Sequence, residues 1–468
     1  MKKRMYKIMA LAMTAAMVVP MAAQTTAFAA DDKEITYWNI AVESPDKDIV
    51  TAAVDKFNKE TKSGYTVNSV AIQNDTYKEK LVIAMSSGEC PDMYSSWSGG
   101  PMYEYIDSGF AQPIDDLLDQ SDVKDKLLDA AIEQGSYNGH VYAIPYLNVS
   151  LAGIFYNKDM FKQYGLEEPK TLADLENICA TLKENGITPF ALANASKWTG
   201  SMYFMSLAAR YGGLEPFQNA VAGTGKFTDD CFIKAGEKIQ EWVNNGYFPD
   251  GVNSLSEDDG QAKQLMYQET AGMLLCGSWY TGTFQTDSEE FYQKIGWFPF
   301  PAIDDSDADP TIQIGTVGDQ FISFNCEGDK LAAAFECATD HLSDEVEDMI
   351  YSTGKIAPVK DAGDHISDPV VKEIFDAAQK ASSIQLWYDQ YLPTSVASAH
   401  LDGLQEVFGL TKTPQEAQEE MQKAMDEYLS TKSDSGAADD TAEEATDDAA
   451  ADDTAEEATD DAAADDAE

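Results

Sequence analysis

Residues 34–88 read EITYWNIAVESPDKDIVTAAVDKFNKETKSGYTVNSVAIQNDTYKEKLVIAMSSG, and the hydrophobic period changes three times along them. EITYWNI (34–40), dense in aromatic and β-branched residues, predicts a strand. In 47–60, Ile49, Val50, Ala53, Val54 and Phe57 fall on one face of a helix. Residues 65–72 predict a second strand, and 76–87 a second helix that stops at Gly88. Strand–helix–strand–helix order implies a parallel sheet with helices packed against it, the α/β class. At the other end of the chain, Thr413, Pro414 and Glu416 form a capping box. Ala417, Met421, Ala424 and Tyr428 then make an apolar stripe, so the folded part is expected to end near Thr431.

Outside these limits the chain changes character. Lys2, Lys3, Arg4 and Lys7 precede an apolar run from Ile8 to Ala23 and an A-x-A site at Ala27–Ala29. This order predicts a secretory signal peptide over residues 1–30. The run is interrupted by Pro20 and is short of the roughly 20 residues that a membrane span needs. Residues 439–451 (DDTAEEATDDAAA) recur unchanged as 452–464. With no large apolar side chain to offset the entropy of ordering, 433–468 is expected to be a disordered acidic tail. The 468 residues exceed what one core usually serves, so two lobes are expected between leader and tail.

Composition then excludes several functions. Net charge is −50, and it stays at −38 (66 acids against 28 basic residues) without the sixteen acids after Lys432 and the leader's four bases. Such a surface repels phosphate backbones and anionic headgroups, which argues against nucleic acid. Cys90, Cys179, Cys231, Cys276, Cys326 and Cys337 are widely spaced with no C-x-x-C pair, and buried free thiols are expected. Gly225-Lys226 lacks the Ser/Thr of a phosphate loop, and Asp305, Asp307 and Asp309 run into Pro310 where a calcium loop needs glycine. Ser44-Pro45-Asp46-Lys47 matches S-x-x-K without its companion motifs, and the four histidines have no ligand spacing. No catalytic residue, metal site or cofactor is expected.

Four separated segments carry a resemblance. They are SGECPDMYSSWSGGPMYEYIDSGFAQPIDDLL (87–118), SYNGHVYAIPYLNVSLAGIFYNKDMFKQYGLEEPKT (136–171), QETAGMLLCGSWYTG (268–282), and 325–358, which ends in GKIAP. In this order they resemble the extracellular solute-binding proteins of carbohydrate ABC importers, the group of maltose-binding protein and the raffinose-type oligosaccharide receptors. The resemblance implies a two-lobed periplasmic-binding-protein-like fold of type II with three interlobe crossings, near Pro145–Ser150, Thr316–Asp319 and Gly354–Pro358. One lobe is then 33–147 with 319–354, the other 148–318 with 355–432. The family is usually lipid-anchored in single-membrane bacteria through a first mature cysteine. None precedes Cys90 here, so a secreted or cell-surface protein is expected, or a periplasmic one if the cell has an outer membrane.

The implied function is capture of a mono- or oligosaccharide by hinge closure of a monomer, without chemistry, and delivery to the permease's transmembrane subunits. A sugar ring needs flat aromatic platforms and polar groups at its edge. At the implied cleft positions stand Trp97, Trp279 and Trp387 in loops, with Trp198, Asn194 and Lys197 in LANASKWTG. Tyr146 and Asn148 occupy the first crossing and Asp319 and Gln320 the second. Glu43 and Asp75 follow the first two strands, where open α/β sheets place ligands. Trp38, Trp242 and Trp297 lie within regular elements and are expected in the core. Two other readings remain open: the same fold for a polyamine or a polyol phosphate, and a secreted polysaccharide-acting enzyme.

Overall fold

A computed structural model describes residues 33–447, with side chains described to Lys432. The signal peptide expected at 1–30 and residues 448–468 lie outside the described residues. The opening elements follow the sequence pattern: β1 (Glu34–Asn39), α1 (Asp46–Glu60), β2 (Thr66–Ala71) and α2 (Asn74–Ser87). α1 buries all five residues of its apolar face. α2 stops at Gly88, whose φ of 75° is left-handed and costs glycine nothing.

Two open sheets form two lobes. In the first, β1 pairs in parallel with β2 and with β3 (Met93–Ser96), and the sheet continues through Gln320–Phe324 to Ala143–Tyr146. The second is built on Ser150–Asn157, a strand buried at every residue. Ala271–Gly277, Ile295–Phe298 and Gln313–Thr316 all pair antiparallel to it. Parallel pairing, expected throughout, holds for β1–β3 and for the pairs made by Thr188–Phe190 and Ile384–Gln385. Elsewhere the crossings dictate direction. Ala143–Tyr146 runs into the junction between lobes and Gln320–Phe324 runs out of it, so their pairing is antiparallel.

The three crossings converge on Asn148. Its backbone carbonyl accepts from Asp319 N at 2.7 Å, and its side-chain Oδ1 accepts from Ile356 N at 2.8 Å. The neighbouring Val149 N donates to Ile356 O at 2.7 Å. Leu147 (φ 72°) and Gly354 (φ 71°) take left-handed backbone at two of the crossings. For Leu147 that conformation is strained, and it persists because the side chain is fully buried.

Trp242 and Trp297 lie in the core as expected, and Trp38 is half-buried. Trp242 stacks on Phe190 at 5.6 Å and donates its indole N–H to Glu176 Oε1 at 2.8 Å. All six cysteines are free thiols, five of them buried. The last helix, Pro414–Asp447, keeps the reciprocal Thr413–Glu416 box but does not end near Thr431. It continues fifteen residues into the acidic tail. Nucleation is the costly step, and here the docked turns supply it, so good helix formers such as Ala and Glu extend the helix. Among the described residues no helix is long and apolar enough to cross a membrane.

Candidate functional site

Four tryptophans far apart in sequence line one cavity of about 190 Å³ between the lobes: Trp97, Trp198, Trp279 and Trp387. Trp97 stands just after β3 in the first lobe, and the other three belong to the second. Trp279 is the centre of that trio, with ring centroids 6.0 Å from Trp198 and 5.9 Å, edge-on, from Trp387. It can sit there because residue 277 is glycine: a Cβ at Gly277 would come within 2.0 Å of the indole ring. On the facing wall, Trp97 meets Tyr77 edge-on at 6.0 Å and carries the Lys78 ammonium 5.0 Å from its ring centre. The indole N–H groups of Trp198 and Trp387 are buried without a protein acceptor.

Acceptors and donors surround these rings. Gln320 lines the cavity, its Oε1 accepting from Tyr146 Oη at 2.9 Å. Asp319 is a wall residue whose carboxyl burial pushes up to about 6, against the pull of Lys355. Burial likewise pushes Glu257 up to about 7, although Tyr280 donates to its carboxylate. Glu257 is half-buried and lines the cavity. A second compartment of about 210 Å³ shares Asp46, Asn74, Glu257 and Trp279 with the first and adds Glu43, Asp258 and Lys263. Lys355 at the third crossing is buried and paired with Asp46.

The residues named from sequence thus divide. Trp97, Trp198, Trp279, Trp387, Asp319 and Gln320 line the first compartment and Glu43 the second. Five others lie off both walls. Tyr146 is fully buried beneath, bonded to Ser95, Tyr37 and Gln320. Asn148 is consumed by the crossings, and Asn194 by Gly200 N and Asn253. Lys197 pairs with Asp402 at 2.5 Å on the surface. Asp75 lies at the rim, where its backbone N–H donates to Asp258 Oδ2 at 3.0 Å. Sequence reasoning missed Glu257, Lys78 and Asp389, and also Asp46 and Asn74. A signal existed for the last two: they begin the helices that follow β1 and β2, where an open α/β sheet turns toward its ligand.

The lobes touch on both flanks of the cavity. Lys78 meets Asp389 at 3.3 Å, Glu104 accepts from Thr394 N at 3.0 Å, and Lys263 meets Glu43 at 3.3 Å. Two open sheets joined by three short crossings, with an aromatic cavity enclosed between them, define a two-lobed binding protein. The chain belongs to the bacterial extracellular solute-binding protein family, whose model matches residues 41–338. A protein solved in work on xylan utilization by the thermophilic bacterium Caldanaerobius polysaccharolyticus superposes with a TM-score of 0.76 at 29% identity, over 83% of this chain and 99% of that one. An uncharacterized ABC transporter extracellular-binding protein of Pyrococcus horikoshii is 29% identical over 60% of this chain and 64% of its own length. The multiple sugar-binding protein of Streptococcus mutans is 30% identical over 35% of this chain and 39% of its own. The chain spans less than two thirds of the length of both these relatives.

Proposed function

We propose that this protein is the extracellular receptor of an ABC importer that captures a sugar or short oligosaccharide by hinge closure and hands it unaltered to the permease. The observation that carries the reading is the pair of aromatic walls, Trp97 on one lobe and Trp279 with its two neighbours on the other, lining one cavity between the lobes. Indole faces match the C–H faces of a sugar ring, while Asp319, Gln320 and Glu257 match its hydroxyls. The names of the xylan-utilization and multiple sugar-binding relatives support the same class. The moving bodies are 33–147 with 319–354 and 148–318 with 355–432, turning about the Asn148 junction as a monomer. Ligand contacts to both lobes favour the closed form. The basic, then apolar leader fits export from the cytoplasm.

Micromolar capture needs about 8 kcal/mol. Neutral hydrogen bonds contribute about 1 kcal/mol each, so several of them together with ring stacking are required. The test is a thermal-shift screen of the exported chain against mono- and oligosaccharides. A ligand at 100 times its Kd should stabilise by about 2.7 kcal/mol. The bound sugar should be recovered intact by chromatography. Stabilisation by spermidine and by no sugar, or recovery of cleaved product, refutes the reading.

A further inference from the structure

We infer that the cleft takes a linear oligosaccharide by one end, with the terminal ring in the tryptophan compartment and the second ring in the polar one. This rests on the sugar reading above and adds the ligand's length and orientation.

The first observation is size. A cavity of about 150 Å³ holds one benzene-sized ring. At about 190 and 210 Å³, the two compartments have room for one six-membered sugar ring each. Trp279 and Glu257 belong to both, so two linked rings would lie end to end past them.

The second observation is that the two ends are closed differently. Beyond Trp97, Lys78 and Asp389 pair across the cleft, and past them backbone meets backbone. A Cβ on Gly99 (φ 114°) would stand 2.3 Å from the carbonyl oxygen of Gln390, and one on Gly100 2.3 Å from that of Leu392. A contact that excludes a methyl group admits no sugar unit. At the opposite end the barrier is the Glu43–Lys263 pair, and the Glu43 side chain is 70% exposed. An exposed side chain can swing aside, so further units would emerge there into solvent.

Affinity should therefore rise from one ring to two and then level off, and the buried end should tolerate no substituent. Calorimetric titration with xylo-, cello- and malto-oligosaccharides of one to four rings tests this. In the series that binds, Kd should fall at least about tenfold from one ring to two and change less than about threefold from two to four. Of two disaccharide conjugates carrying a bulky fluorophore at opposite ends, one should lose binding and the other keep it. Lys263→Ala should weaken the disaccharide more than the monosaccharide. A monosaccharide as tight as the disaccharide, gains that continue to four rings, or both conjugates binding or both failing would overturn the inference while the sugar reading stands. Binding by no series, together with stabilisation by no sugar in the thermal-shift screen, refutes the sugar reading itself, and this inference with it.

Discussion

Gly277→Ala is the smallest change that should disable the proposed site without touching a ligand-facing side chain. The glycine ends a buried strand whose register with Ser150–Asn157 is fixed, so the backbone has little freedom to yield. Its φ is not left-handed, and the intrinsic effect of Gly→Ala in a strand is a gain of roughly 0.5–1 kcal/mol. The new Cβ would, however, stand 2.0 Å from a ring carbon of Trp279 and 2.3 Å from two others, so the indole must turn away. Overpacking of this kind costs about 1–3 kcal/mol. The two terms nearly offset in the unliganded protein, and the melting temperature should move by only a few degrees. Sugar affinity has no offsetting term. Loss of the central platform should weaken binding by about 1–3 kcal/mol, roughly fivefold to 150-fold. A double-mutant cycle with Trp279→Ala isolates the cause: once the indole is gone, Gly277→Ala should be nearly silent in calorimetric titration, a coupling of at least about 1 kcal/mol. Unchanged affinity in Gly277→Ala, or strict additivity in the cycle, would refute the claim that this glycine acts through Trp279.

Three other outcomes follow from the geometry. Asn148→Ala strands the buried Ile356 N–H and should cost about 1–3 kcal/mol in denaturant unfolding. Trp242→Ala should cost about 3–5 kcal/mol while the folded fraction keeps its sugar affinity, the reverse of a cavity tryptophan. Glu257 has a folded-state pKa of about 7, raised from 4.5, so the folded protein holds a proton that the unfolded chain has released between those values. Its contribution to stability is therefore complete below pH 4.5 and declines as pH rises toward 7; Glu257→Gln should flatten the fall in melting temperature over that window, and an unchanged slope would contradict the assignment.

What the sequence revealed tracks how local each signal is. The elements of 34–88 and the Thr413 box depend on residues three or four apart, and the structure reproduces them within two residues. Trp97, Trp279 and Trp387 were visible because they stand in loops at the positions where the family resemblance puts the cleft. Glu257, Lys78 and Asp389 were not, because charged residues crowd this sequence and their roles exist only once chain segments far apart in sequence are brought together. Tyr146 and Asn148 mislead for a different reason. Residues at a crossing lie close to any cleft between lobes, and whether a side chain faces the cavity or the junction is decided by hydrogen bonds that the sequence does not display. The helix continuing through Asp447 was missed because composition weighs a segment in isolation, whereas a helix already begun extends at little cost.

The knot at Asn148 has a mechanical consequence. Three separate connectors would give two bodies several ways to slide, twist and part. Tied through one residue's carbonyl and carboxamide, they share a single joint, about which the proposed closure would turn. In that closure the joint would work as a lever: a small rotation at the cavity floor, where Asp319 and Lys355 adjoin the knot, would become a larger displacement at the outer rim, where Glu43 faces Lys263 and Glu104 faces Thr394. Anything that reads the outer rim thereby reads the state of the floor.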